Sequence, residues 1–122
     1  MHPEELVKIT LMLCVTATVP EIENEMAARS IRVHWAPSIS AATALLDSAS
    51  NGTAVITELA LRDGNWRDLV ERLRHIGKPI RVALVSPIRS SELWWDALEF
   101  GVEDILLAPL SVSRICEYLN IR

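Results

Sequence analysis

Two polar residues stand at the ends of apolar runs, where side chains could do chemistry. Ser86 directly follows the run Val82–Val85, and Glu58 follows the run Ala54–Ile56 after one threonine. A carboxylate and a hydroxyl supply oxygen ligands of the kind that Mg²⁺ requires in an octahedral set. No Asp or Glu occurs between Glu5 and Glu21, so the first apolar run adds no carboxylate to them. One carboxylate is too few to hold a divalent ion, and the sequence predicts no metal site.

The remaining reactive side chains are isolated from one another. His2, His34 and His75 are far apart, and none stands at ligand or catalytic spacing from another candidate. Cys14 and Cys116 form no CxxC pair, which is typical of reduced structural cysteines rather than a metal or redox site. The chain has no Gly-rich phosphate loop and no GxSxG turn. These patterns predict a protein that is not an enzyme and carries no cofactor.

Five short apolar segments alternate with segments of helical periodicity along the chain. Such alternation is typical of a parallel sheet with helices on both faces. At 122 residues, half of them hydrophobic, the chain is predicted to be one domain over residues 1–122, with a core over about 7–120. The predicted strands are Lys8–Val15, Ile31–Trp35, Ala54–Thr57, Ile80–Val85 and Asp104–Leu107.

Residue patterns within the strands predict their order. Ala54–Ile56 and Val82–Val85 are continuously apolar, as expected of central strands covered on both faces, whereas Ile31–Trp35 alternates and suits an edge. The prediction is a three-layer α/β/α, flavodoxin-like, doubly wound sheet with strand order 2-1-3-4-5. In such a sheet the functional crevice lies at the carboxyl ends of strands one, three and four.

Start and stop signals place the helices. Pro20, with acidic residues close behind it, suits the first turn of a helix. The third helix is predicted over residues 66–76, ending at Gly77. Serines predict the other starts, with Ser38 or Ser40 before the second helix, Ser90 or Ser91 before the fourth, and Ser111 before the fifth.

Three blocks at matching separations resemble the receiver domain of two-component response regulators. They are the third strand and its loop (54–66, AVITELALRDGNW), the fourth strand with its terminal Ser86 (82–86, VALVS), and the block 97–110 (ALEFGVEDILLAPL). The last resembles the family pattern of Ala-Leu, Gly-Ala, Asp-Tyr and Lys-Pro-Phe. The resemblance implies the doubly wound fold and a role in signalling.

Family roles carried over by this resemblance fall on altered residues. In that family an Asp after the third strand is phosphorylated, an acidic pair after the first strand holds Mg²⁺, and a hydroxyl and a Lys contact the phosphoryl group. The corresponding positions are Glu58 for the phosphoacceptor, Ser86 for the hydroxyl, Ala108 beside Pro109 for the lysine, Ile105 for the aromatic switch, and either Ala17 and Thr18 or Leu13 and Cys14 for the acidic pair.

These departures predict a pseudo-receiver that works without phosphorylation. Glutamate carries its carboxylate one methylene further than aspartate, so Glu58 either mimics the phosphorylated state or is a tolerated, solvated residue. One alternative is a working receiver with an unconventional acceptor, Ser86 or Asp63. Another is a small-ligand sensor whose apolar pocket is lined by Thr18, Glu58, Ser86 and Ala108.

Three tryptophans carry further expectations. Trp66 either covers the crevice as a lid or packs on its own helix. Periodicity groups Trp94 with Ala97, Leu98 and Gly101 as core, which leaves Trp95 at the surface.

Receiver domains commonly dimerise or dock partners through the face made by the fourth helix, fifth strand and fifth helix. By resemblance, this chain is expected to bind a protein partner or a second copy there, through Trp95, Asp104, Arg114 and Glu117.

Charge and hydropathy argue against two other classes of partner, nucleic acid and membrane. Twelve basic residues against sixteen acidic ones give a net charge of −4, with no basic stripe for nucleic acid. The apolar runs are too short to span a membrane, and the acidic start does not suit a secretory signal. The expected location is the cytoplasm.

Overall fold

The computed structural model describes residues 8–47 and 52–121. Residues 1–7, 48–51 and 122, which the predicted domain includes, lie outside the described residues, and so does His2. The described chain forms a five-stranded sheet flanked by five helices. Its strands are β1 (Leu11–Val15), β2 (Arg32–Trp35), β3 (Thr53–Glu58), β4 (Ile80–Ser86) and β5 (Asp104–Leu107).

All neighbouring strands of this sheet are parallel, and their order is β2-β1-β3-β4-β5. The predicted order, with the alternating second strand at an edge, is confirmed. The first strand is shorter than predicted, because its pairing with both neighbours begins at Leu11, opposite Arg32 and Thr53. Lys8 therefore lies before the sheet.

Four short helices connect the strands and a fifth follows β5, and three of the helix starts carry the predicted serine caps. Side chains of Ser38, Ser90 and Ser111 each accept a hydrogen bond from a backbone amide three residues later. These bonds satisfy first-turn donors that the helix leaves unpaired. The helices are α1 (Pro20–Ala27), α2 (Ile39–Leu46), α3 (Trp66–Arg74), α4 (Ser91–Glu99) and α5 (Val112–Leu119).

The two faces of the sheet bury separate apolar clusters, because side chains of a strand alternate between faces. Leu13, Val55 and Leu84 contribute to one cluster, which also contains residues of α2, α3 and α4. The other contains Met12 and Ile56, with residues of α1 and α5. This arrangement is the predicted three-layer architecture. None of the described helices combines the length and apolar character needed to cross a bilayer.

The inner face of α4 differs from the prediction. Ala97 is buried and Leu93 and Phe100 pack partly buried against the core, whereas Trp94 and Leu98 are 41% and 44% exposed. Residues 93, 97 and 100 share one helix face, and each residue adds a rotation of about 100°. The predicted stripe was therefore one residue out of register, and placing Trp94 and Leu98 in the core was wrong.

Candidate functional site

The side chain of Glu58 reaches a small crevice at the carboxyl edge of the sheet. Glu58 is exposed at the last position of β3, and the crevice encloses about 220 Å³. Its only carboxylate is that of Glu58, and Arg62 adds a positive charge. The lining residues are Val15, Thr16, Ala17, Ala36, Pro37, Glu58, Ala60, Leu61 and Arg62.

This donor set does not fit Mg²⁺, which needs about six oxygen ligands around it. Most of the lining residues are apolar and offer no side-chain oxygen, and the arginine repels a cation. Across residues 8–47 and 52–121, no three His, Cys, Asp or Glu side chains converge in a geometry that could hold a metal ion.

The register of β1 decides which residue stands beside Glu58. Val15 pairs with Thr57, so Thr16 is the next residue along the edge, and it lines the crevice with Ala17. Leu13 and Cys14 lie inside the strand and are buried, and burial raises the pKa of the Cys14 thiol to about 12. Leu13 and Cys14 therefore do not stand at the edge of the sheet beside Glu58, because β1 continues to Val15.

The alternative positions for the acidic pair are Ala17 and Thr18, and only one of them lies at the crevice. Ala17 lines the crevice but Thr18 does not. Sequence reasoning missed Thr16, although it is the first polar residue after the apolar run of β1, and that position was the available signal.

Ser86 uses its hydroxyl within its own turn. The residue is fully buried at the end of β4. Its Oγ donates to the carbonyl of Ile88 at 2.7 Å and accepts from the Ile88 amide at 3.3 Å. The amide of Ala108 donates to the Ser86 carbonyl at 2.8 Å. Ser86 is thus a structural residue, with its hydroxyl committed to the chain.

The predicted ligand pocket does not form around Glu58. Of Thr18, Glu58, Ser86 and Ala108, only Glu58 lines the crevice. The hydroxyl of Ser86 turns back toward Ile88, and Ala108 packs against the apolar cluster on the α1 and α5 face. These four side chains do not meet in one cavity.

The loop after β3 folds into a two-stranded hairpin, Ala60–Leu61 with Gly64–Asn65. At its turn the carboxylate of Asp63 accepts hydrogen bonds from the backbone amides of Ile39 at 2.8 Å and Ser40 at 3.1 Å. The bond from Ile39 is the main cause that holds the pKa of Asp63 below its ordinary value. Asp63 therefore anchors the hairpin to the N-terminus of α2, which disfavours it as a phosphoacceptor.

Trp66 packs inside the protein. Only 3% of it is exposed, its ring meets that of Phe100 edge-on with centroids 5.4 Å apart, and the Arg67 guanidinium lies 4.7 Å from its ring centroid. It does not line the crevice beside Glu58. The structure favours the packing interpretation, and nothing in these contacts supports a lid.

A larger groove lies between α4 and α5 above β5, with a volume of about 500 Å³. Of the four predicted interface residues, Asp104, Arg114 and Glu117 line it, and Trp95 does not. We call it the α4–α5 groove, and its lining residues are Ile88, Arg89, Ser90, Ser91, Trp94, Asp104, Ile105, Leu106, Leu107, Arg114, Glu117 and Tyr118.

An exposed apolar patch adjoins this groove. We call it the α4 patch: Ile88, Trp94, Trp95 and Leu98, which are four of the five large apolar side chains exposed in the described chain. Trp94 lies on the groove side of α4. Trp95 is 66% exposed on the outward side, as its predicted surface position requires. Several large apolar side chains exposed on one helix and the loop before it are typical of interaction surfaces.

Solved structures with a similar fold are receiver domains and other response regulators. A two-component response regulator from Clostridium difficile is 16% identical over 93% of each chain, with a TM-score of 0.78. The chemotaxis response regulator CheY4 of Vibrio cholerae is 14% identical, with a TM-score of 0.76 over 93% of this chain and 98% of that chain. The non-phosphorylated HemR receiver domain of Leptospira biflexa is 21% identical, with a TM-score of 0.67 over 94% and 97%.

These likenesses show the receiver-domain fold, and at such low identity they show the fold alone. No protein-family model matches the sequence, and no curated protein is similar to it in sequence.

Proposed function

We propose that this chain is a receiver-like signalling module that acts by protein contact and does not depend on phosphorylation. The observation that carries the proposal is the composition of the Glu58 crevice, where a single carboxylate shares the wall with apolar groups and Arg62. Phosphoryl transfer depends on positioned metal ions and cations that neutralise charge on the transferred oxygens. The crevice lacks the oxygen donors that would bind such a metal ion.

The state of Glu58 supports a passive role. Its carboxylate is exposed and accepts no hydrogen bond from the described residues. Ala108 occupies the position where the resemblance places a charge-reading lysine, and Ile105 the position of the aromatic switch. Without these partners, a charge at Glu58 has no contact through which to change the fold. We therefore propose a solvated residue rather than a phosphate mimic.

The experiment is incubation of the purified chain with acetyl phosphate and Mg²⁺, followed by intact-mass spectrometry. The expected result is an unchanged mass, while a phosphorylatable receiver domain treated in parallel gains one phosphoryl group. A stable gain of one phosphoryl group by this chain would refute the proposal. Such a gain mapped to Ser86 or Asp63 by peptide sequencing would establish the unconventional acceptor instead.

The surface proposed for protein contact is the face formed by α4, β5 and α5. It carries the α4 patch and the α4–α5 groove, which together place apolar area beside charges of both signs. Interfaces are enriched in tryptophan and arginine at their energetic centres. A second copy or another protein would bind here. Size-exclusion chromatography with light scattering, run over a range of protein concentrations, detects binding of a second copy.

A cytoplasmic location belongs to the same proposal. Cys14 and Cys116 are both free thiols, and disulfide-free cysteines are typical of reducing compartments. We propose no catalytic step for this chain, because the reactive side chains described above are either isolated from one another or hydrogen-bonded within the fold.

A further inference from the structure

We infer that β2 binds an extended segment of a partner protein in which acidic and apolar residues alternate, and that this segment adds to the sheet as a further strand. β2 lies at the end of the sheet opposite β5, so this contact is separate from the face proposed above. An exposed edge strand can pair with a strand of another chain. The inference goes beyond the proposed function, because it names a second surface and the chemistry of its partner.

The outward side of β2 offers backbone groups without partners. The amide of Arg32 donates to the carbonyl of Thr10 at 2.9 Å, so Arg32 turns its backbone groups toward β1. Because successive residues of a strand turn these groups to opposite sides, the N–H and C=O groups of Val33 and Trp35 point away from β1. They make no hydrogen bond in the part of the chain that the structure describes. An antiparallel strand can exchange two hydrogen bonds with each of these residues.

Neighbouring residues limit this open edge to a short stretch. The next residues that would face outward are Ile31 and Pro37. The amide of Ile31 donates to the carbonyl of Met26 at 2.9 Å, and a proline has no amide hydrogen to donate. A segment of about five residues therefore covers the edge.

On the α2 side of β2, two nitrogen-bearing side chains stand beside an open groove of about 800 Å³. Arg32 and His34 line this groove together with their register partners Leu11 and Leu13, and none of its described lining residues is acidic. Arg32 is exposed and His34 is half-buried. Neither side chain makes a hydrogen bond or an ion pair in the described chain. A carboxylate on this side of a bound strand would supply the missing acceptor.

The α1 side of β2 disfavours a carboxylate. Val33 and Trp35 contact the apolar cluster on this side. The indole Nε1 of Trp35 donates to the carboxylate of Glu23 at 2.7 Å, and Glu21 and Glu25 are also exposed on α1. Because like charges close together repel, the partner residues on this side are apolar.

These two sides define the sequence pattern of the partner. Residues directly opposite each other in an antiparallel pair have their side chains on the same face. The fitting segment therefore carries acids opposite Arg32 and His34. It carries apolar residues opposite Val33 and Trp35. A second copy does not match this pattern, because pairing β2 with itself puts the two copies of His34 opposite each other and Arg32 opposite Ala36.

The test uses the intact chain and short fluorescein-labelled peptides in which Glu and Val alternate. Their binding is followed by fluorescence anisotropy. A second peptide has Gln in place of every Glu, so it keeps the backbone and loses the charges. We expect the Glu peptide to bind about fivefold more tightly than the Gln peptide, as two exposed ion pairs imply.

Methylation of the peptide backbone distinguishes an added strand from a purely electrostatic contact. In the inferred pairing, the Val amides of the peptide donate to β2 and the Glu amides point to solvent. N-methylation of the Val residues is expected to weaken binding about tenfold or more, because each methyl group removes a donor. The matched control carries the same number of methyl groups on Glu residues and is expected to bind like the unmethylated peptide.

Two measurements on the protein locate the contact. Hydrogen exchange followed by NMR is expected to slow about tenfold or more at the amides of Val33 and Trp35 when the Glu peptide saturates the chain. The amide of His34, which faces β1, is expected to keep its exchange rate.

The second measurement compares arginine variants. Arg32→Gln is expected to weaken the Glu peptide about threefold and to leave the Gln peptide unchanged. The matched control is Arg72→Gln, because Arg72 is an exposed arginine of α3 whose side chain makes no hydrogen bond or ion pair in the described chain. This control is expected to bind like the parent, and circular dichroism melting checks the fold of both variants.

Four outcomes would overturn the inference: unchanged exchange at Val33 and Trp35, equal binding of the Glu and Gln peptides, equal losses from the two methylated peptides, or full binding of the Glu peptide by a folded Arg32→Gln chain. Protection of the same amides that grows with protein concentration without peptide would also overturn it, because a second copy would then occupy the edge. The acetyl phosphate experiment does not involve β2, so failure of either leaves the other result standing.

Discussion

Thr16 and Glu58 stand next to each other across the carboxyl ends of β1 and β3, since the last paired residues are Val15 and Thr57. The crevice therefore has room for a second carboxylate at one specific position of the β1 loop. Thr18, two residues further along, does not line the crevice. In the structure the position beside Glu58 is therefore Thr16, and not Thr18 as one of the two alternatives in the sequence analysis would have it.

The double variant Thr16→Asp with Glu58→Asp is expected to bind Mg²⁺, because it places two carboxylates at one edge of the sheet. Isothermal titration calorimetry measures the affinity, which we expect in the millimolar range, about 4 kcal/mol of binding free energy. The matched control is Thr18→Asp with Glu58→Asp. If the control binds Mg²⁺ as tightly as the first variant, the crevice geometry described above is wrong.

Asp63 is expected to make the stability of the fold depend on acid pH. Its pKa lies below the ordinary value of 3.8, mainly because the amide of Ile39 donates to its carboxylate. A carboxylate with a lowered native pKa stabilises the fold above its ordinary pKa, and this contribution is lost as the pH falls through the native value. The charge on Asp63 thus contributes at neutral pH and stops contributing in strong acid.

Asp63→Asn is accordingly expected to lower the free energy of unfolding at neutral pH, with the deficit shrinking as the pH falls below 3.8. Urea unfolding at a series of pH values measures both chains. Glu99→Gln serves as the control, because Glu99 is exposed on α4 and its side chain makes no hydrogen bond or ion pair among the described residues. A deficit that persists unchanged in strong acid would show that the charge of Asp63 plays no part.

At the scale of elements, the backbone directly before β3 requires a glycine. Gly52 has a φ of +89°, and its carbonyl accepts the amides of Thr10 and Leu11. An added Cβ would collide with the backbone carbonyl of Lys8. Gly77, after α3, has a similar φ of +74°, yet its Cβ would meet open space. Replacing either glycine by alanine therefore strains the backbone in the same way, and only at Gly52 does the new Cβ also collide with another atom.

Gly77→Ala is expected to cost about 1–2 kcal/mol of unfolding free energy, the usual strain of a left-handed residue with a Cβ. Gly52→Ala is expected to cost about 1–3 kcal/mol more, because the backbone of Lys8 must move away from the new methyl group. Urea unfolding compares the two. Equal losses would mean that the Lys8 carbonyl yields without cost.

Local signals in the sequence were sufficient to predict most of the helices and strands. Hydroxyl caps at Ser38, Ser90 and Ser111 mark helix starts, and each forms its predicted type of bond because capping depends only on neighbouring residues. The face of α4 was mispredicted, since Leu93 and Trp94 are both apolar and periodicity alone does not decide which faces the core. Packing against α3 and β5 decides it in the folded chain.

The candidate site was less predictable than the fold. Glu58 was assigned through the resemblance, but Thr16 was missed because the resemblance left the register of the first strand open between two alternatives, neither of which includes Thr16. The hydrogen bonds that Asp63 accepts from the amides of Ile39 and Ser40 join residues more than twenty positions apart. The same holds for the unpaired Nε of Arg114, whose lack of an acceptor follows only from the surrounding fold.

At the scale of the whole molecule, the stability of the fold and the binding of partners depend on different tryptophans. Trp66 is 3% exposed and Trp95 is 66% exposed. We expect Trp66→Ala to cost about 3–5 kcal/mol, because it leaves a cavity beside Phe100, and Trp95→Ala to change unfolding by less than about 0.5 kcal/mol. Trp95→Ala should still weaken self-association or partner binding at the α4 patch. Urea unfolding followed by circular dichroism tests both losses, and a large loss for Trp95→Ala would make it a structural residue rather than a contact.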